Sequence, residues 1–134
     1  MKDRKKKLVA LVNSWLSHAE DDFDLVKILI STKSSVPYKL IAFHAQQCAE
    51  KYLKAILMEN GIMFPKIHDL TALLRMVLNI EPTWVFLEES LNELTSIGIE
   101  VRYPGVNADI EDATHAITTA ARVRETARNA LGIN

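Results

Sequence analysis

His44, Gln47, Glu50, Lys51 and Lys54 recur at three- and four-residue steps. Placed at 100° per residue on an α-helix, they share one arc of roughly 120°. That arc gathers an imidazole, an amide, a carboxylate and two ammonium groups, a set able to bind a phosphate or pair with an acidic neighbour. His68-Asp69 follows at a loop-to-helix junction, where Asp69 suits an N-cap and His68 can turn toward the same wall. There His68 and Lys51 or Lys54 would border a phosphate. Arg102 can grip an anion through its planar fork, with the Tyr103 ring beside it as a stacking surface.

Each of these has a plainer reading. A polar arc opposite an apolar one is what any surface helix shows, and Gln47–Lys51 and Glu50–Lys54 are ordinary four-residue neighbours. Arg102 can instead pair with Glu100, Asp109 or Glu50, leaving Tyr103 half-buried under its loop. Metal chemistry finds little support. His44 and Cys48 are four apart, and Asp112 stands three before His115, but a structural zinc needs about four aimed ligands. A di-iron bundle needs two Glu-x-x-His motifs, and none is present. No metal and no other cofactor is therefore expected. Cys48 reads as a small residue on the edge of the core rather than a nucleophile. Arg122, Arg124 and Arg128, offset by Glu111, Asp112 and Glu125, read as a solvated face.

The elements that must carry these residues are helical throughout. Leu8, Leu11, Val12, Trp15, Ala19, Val26 and Leu29 predict a first helix over about 8–30. After a polar connection, Pro37 fits the first turn of a second helix over about 38–60, with Gly61 as its stop. Ile41, Ala42, Ala45, Ala49, Tyr52, Leu53, Ile56 and Leu57 fill an apolar arc of roughly 160° on it. Residues 62–68 form a loop, and Asp69 caps a short third helix through Leu70, Leu73, Leu74 and Val77. A fourth helix is predicted over about 84–96, with Trp84, Leu87, Leu91 and Leu94 buried and Gly98 as its breaker. Residues 101–108 form a second loop before a helix from Asp109 to about Leu131.

Composition agrees with this frame. In 134 residues, 49% are hydrophobic and 25% charged, with four Gly and four Pro, too few for a many-turned β fold. The expected architecture is all-α, an antiparallel four-helix up-and-down bundle with a short additional helix, as a single domain over 1–134. A net charge of −1 excludes a polyanion binder built on overall charge, so any nucleic-acid contact must come from a local patch. The lone Cys48 fits a reducing cytoplasm. The basic start, residues 2–7, reads as a solvated, frayed terminus, because no apolar run long enough for export or a membrane follows it.

The segment Phe43-His44-Ala45-Gln46-Gln47-Cys48-Ala49-Glu50-Lys51-Tyr52-Leu53-Lys54-Ala55-Ile56-Leu57 resembles the signature helix of HEPN domains. Three further pieces agree in order: Trp15-Leu16 with Ala19 and Asp22, His68-Asp69-Leu70 with Leu73-Leu74, and Arg102-Tyr103-Pro104. The resemblance implies a helical bundle, commonly a homodimer, binding nucleotide or RNA. It also implies work beside a minimal nucleotidyltransferase in a toxin–antitoxin-like pair. Some members are metal-independent ribonucleases, with an Arg followed after four to six residues by a His. Here Arg102 is followed at 107–109 by Asn, Ala and Asp, and the next His is His115. No catalytic residue carries over. A ribonuclease would need His44 or His68 as a substitute acid or base, and a protein-only helical adaptor is the third reading. The binding-module reading uses His44, Gln47, Glu50, Lys51, Lys54, His68, Arg102 and Tyr103, free to meet something outside the subunit.

Overall fold

The apolar arc read from residues 41–57 is buried at all eight positions, none more than 4% exposed. It belongs to the central element of the fold. The computed structural model describes residues 2–32, 37–100 and 103–133. They form α1 (Lys2–Ser31), α2 (Tyr38–Glu59), α3 (Leu70–Val77), α4 (Glu88–Glu100) and α5 (Ile110–Ala130). A 3-10 turn, Pro82–Leu87, leads into α4. Among the described residues there is no strand. No helix there is long and apolar enough to cross a membrane.

α2 packs against α1, α5, α3 and α4, and 13 of its 22 residues are buried. Side-chain partners run antiparallel between the first two helices: Asp22 meets His44 and Lys51, Glu20 meets Tyr52, and Trp15 meets Lys54. Three helix ends are closed by local bonds. Gly61, at φ 68°, lets Ile62 N–H reach the Leu57 carbonyl at 2.9 Å and its own N–H reach Met58 at 3.0 Å, closing α2. Asp69 Oδ1 accepts from Thr71 N and Ala72 N at the start of α3. At α5, Asp109 and Asp112 exchange side-chain-to-backbone bonds in a capping box.

Three expectations need correction. α1 begins at Lys2, so the basic start is helical rather than frayed, although residues 2–7 are all exposed. Leu11 is 49% exposed and leaves the buried stripe, which Leu16 and Asp22 join instead. The element entered at Pro82 opens as a 3-10 turn, and α4 then runs through Gly98 to Glu100. Gly98 is there for packing, not for stopping the helix. Gln46, only 2% exposed, lies across it, and a Cβ at position 98 would stand 1.5 Å from Gln46 Oε1.

Alanine normally gains about 1 kcal/mol over glycine inside a helix. Here overpacking reverses the sign. Gly98→Ala is expected to lower unfolding free energy in urea by about 1–3 kcal/mol. Adding Gln46→Ala should return most of the loss, and a Gly98→Ala protein as stable as the wild type would show that this contact yields freely.

Candidate functional site

The seam between α1 and α2 is held by two carboxylates. Asp22, 8% exposed, takes His44 Nδ1 at 3.0 Å and Lys51 Nζ at 2.5 Å, one on each oxygen. One side of α1 further round, Glu20 Oε1 accepts from Tyr52 Oη, from Arg124 Nε at 2.8 Å and from Arg128 Nη1 at 2.9 Å. The Arg124 guanidinium also lies over the Phe23 ring, 4.7 Å from its centroid. Burial raises the Glu20 carboxyl pKa, but the Tyr52 hydrogen bond and the two guanidiniums outweigh it, leaving it below its ordinary value. Burial, then the Glu20 bond, pushes the Tyr52 phenol up, so it stays a donor. This cluster joins three helices.

A third carboxylate is deeper. Glu50 and Lys54 have side chains only 4% and 6% exposed and meet at 3.1 Å. His68 Nδ1, arriving from the loop after α2, sits 3.0 and 3.1 Å from the two Glu50 oxygens. The Lys54 ammonium lies 5.4 Å from the Trp15 ring centroid and 5.7 Å from that of Phe64. Those two rings meet edge-on at 6.0 Å. In front of them opens a cleft of about 720 Å³, whose walls include Leu8, Met58, Met63 and Phe64, with Lys66 and His68 at its edge. Its size is that of a small-molecule site, mostly apolar with few polar groups.

The charged arc on α2 is therefore not a free strip. His44 and Lys51 are spent on Asp22, and Glu50 and Lys54 on each other and on His68; Gln47 is half-buried. The expected union of His68 with Lys54 does occur, through Glu50 rather than a phosphate. Lys51 instead joins the Asp22 cluster. Tyr103 is 63% exposed, and Arg102 lies outside the described residues. Either histidine open to the ribonuclease reading is held by a carboxylate, His44 by Asp22 and His68 by Glu50.

Residues proposed as metal pairs are otherwise engaged. Cys48 is fully buried and its thiol is pushed up by burial and by Asp22 and Glu20, which keeps it protonated. Asp112 serves the α5 cap, and His115 Nε2 lies 3.2 Å from the Ser90 carbonyl and from Glu93. Among the described residues, no three His, Cys, Asp or Glu side chains gather as a metal ion would need. Sequence reasoning missed Glu20 and Asp22 as the anchors. Their signal was a carboxylate one and three residues after Ala19, on the face that α1 turns to the core. It also missed Trp15, Phe64 and Gln46 as lining groups.

The sequence pattern of the HEPN domain matches residues 12–130. The chain belongs to the HEPN family. Over 86 residues this HEPN chain is 35% identical to the Methanocaldococcus jannaschii protein named Putative toxin MJ1304. That stretch covers 62% of this chain and 53% of the relative, so the chain spans about half of that protein's length. The crystal structure of ST0689, an archaeal HEPN homologue, is similar with a TM-score of 0.66 and 26% sequence identity. The likeness covers 88% of this chain and 95% of that one.

In this HEPN fold Glu20 ties the helices through its ionised form. A carboxyl whose folded pKa is depressed stabilises fully above its unfolded value, near 4.5, and the contribution is lost as pH falls through the folded value. Glu20→Gln should flatten that acid-side loss in pH-dependent urea melts. Tyr52→Phe should cost about 1–2 kcal/mol at neutral pH. An acid limb unchanged by Glu20→Gln would place the sensitivity in other carboxylates.

Proposed function

We propose that this HEPN domain is a nucleotide- and partner-binding module, the helical half of a toxin–antitoxin-like pair with a minimal nucleotidyltransferase. Two copies would form a homodimer. The observation that carries the nucleotide part is the cleft between α1 and the loop over 62–68. Trp15 and Phe64 give aromatic surface on which a base can stack, a contact available to every base. The Lys54 charge is already balanced by Glu50, so the inner end of the cleft is close to neutral and suits the base rather than the phosphate. Lys66 and His68, both exposed at the edge, suit the phosphate.

The partner part rests on the likeness to a protein named a toxin and on family membership. Tyr103, exposed in the loop before α5, and Arg102 beside it in sequence remain the proposed contacts for an anion or for that partner. His44 and Lys51 support the module indirectly, by fixing α1 against α2 through Asp22 and so holding Trp15 in place. The class is binding module: fixed groups on rigid helices receive a ligand without a bond being made or broken.

Calorimetry with a nucleoside monophosphate tests the cleft. Lys66→Glu reverses an exposed charge worth about 1 kcal/mol, so affinity should fall about five- to tenfold, and the loss should shrink at high salt. Affinity unchanged by Lys66→Glu and by Phe64→Ala would remove the cleft reading. Co-expression with the nucleotidyltransferase from the same genome should yield a complex on size exclusion, and separate elution would remove the partner reading.

A further inference from the structure

Glu50, Lys54 and His68 form one cluster, but water reaches only one of its members. The carboxylate and the ammonium are almost sealed, with side chains 4% and 6% exposed, whereas the His68 side chain is 60% exposed. Lys54 Nζ donates to Glu50 Oε2 at 3.1 Å, so these two charges cancel within the fold. His68 Nδ1 lies 3.0 and 3.1 Å from the Glu50 oxygens, and carboxylate oxygens only accept. Nδ1 must therefore carry a hydrogen in both charge states of the ring. The neutral ring then has its lone pair on Nε2, which becomes a donor only when a second proton is added.

The charged groups around the ring come from three places. Glu50 and Lys54 of α2 offset each other, Lys66 of the loop opposes a further cation, and Asp69, capping α3 through Oδ1, favours one. Trp15 of α1 and Thr95 and Ile99 of α4 share the pockets that His68 lines and bring no charge. The balance is changed by an anion in the cleft. A phosphate oxygen only accepts, so it is repelled by the lone pair of a neutral ring and held by the charge-assisted donor of an imidazolium. With Glu50 on one side and a phosphate on the other, the ring stands between two anions, which favours its protonated form. By linkage, the proton raises affinity for the anion by the same factor as the anion raises affinity for the proton.

We infer that His68 is a proton-linked anion receptor at the edge of the aromatic cleft: the nucleotide phosphate binds its imidazolium, and binding draws a proton from solvent. One proton passes from the buffer to Nε2, and no covalent bond to the ligand is made. This inference rests on the nucleotide reading of the cleft and adds its regulation, tighter binding on the acid side. Glu50 acts through His68 as a positioning residue, because it fixes which nitrogen is left to take the proton.

The test is calorimetry between about pH 6 and pH 8, in buffers of different ionisation enthalpy, on the full chain and on His68→Gln and His68→Lys. The probe is the methyl phosphodiester of AMP, because a phosphomonoester itself titrates near about pH 6. The wild type should take up part of a proton per ligand, and its affinity should fall about fivefold from the acid to the alkaline end, the effect of one exposed charge. His68→Gln should show the weaker affinity throughout and no uptake. His68→Lys, which supplies the charge without an imidazole, should bind as the wild type does at the acid end, again with no uptake. The side chain is largely exposed, so both variants should melt near the wild type. Binding by the wild type without proton uptake at any of these pH values overturns the linkage and leaves the nucleotide reading standing. Uptake that persists in His68→Gln also overturns it, assigning the proton to another group. No binding of the diester at all overturns the linkage and the nucleotide reading together.

Discussion

The enclosure of α2 governs the rest of the structure. Four other helices pack on it, so a polar group on this helix has little access to water and must meet a partner from its own chain or go without. An ionised group in that position is expensive to leave alone, by several kcal/mol. The chain answers with carboxylates and ammonium groups brought together from different elements. Asp22 reaches across to His44 and Lys51, and Glu50 is matched by Lys54 on the next turn and by His68 from the following loop. These pairs set how the helices sit. They fix the depth at which α1 and the loop over 62–68 lie against α2, and so place Trp15 and Phe64 around Lys54.

On the reading proposed above, recognition falls to what the enclosure does not consume. His68, the member of the Glu50 cluster that is largely exposed, lines both the aromatic cleft and a smaller pocket. A histidine so placed is anchored at Nδ1 while most of its ring is exposed. It is held by the fold and faces what arrives. On α4, Gly98 leaves the space that the Gln46 side chain of α2 fills.

Much of this was legible in the residues. The apolar arc of α2, the Asp69 and Asp109 caps, the Gly61 stop and the buried Trp84, Leu87, Leu91 and Leu94 all follow from local rules of periodicity and capping. Family resemblance from 43–57 and three shorter pieces was likewise readable, and the match over residues 12–130 bears it out. What escaped is non-local. That Lys51 meets Asp22 of α1, and that the Glu50–Lys54 pair is buried rather than solvated, depends on how the helices pack, which no helical wheel of one segment reveals. Gly98 misled for the same reason: glycine marks a helix end by local statistics, whereas here a side chain from α2 demands the space. The extent of α1 and the 3-10 turn at Pro82 are boundary effects of the kind local signals settle least well.

The central claim is that the charges of α2 hold the fold while the proposed ligand site is the aromatic cleft beside His68. Side-chain NMR during titration with AMP tests it most directly. The account predicts that the Trp15 indole N–H and the His68 ring shift together and saturate at one ligand concentration, while His44 and its Asp22 contact stay unchanged. Shifts centred on His44 and Lys51, with Trp15 still, would contradict it.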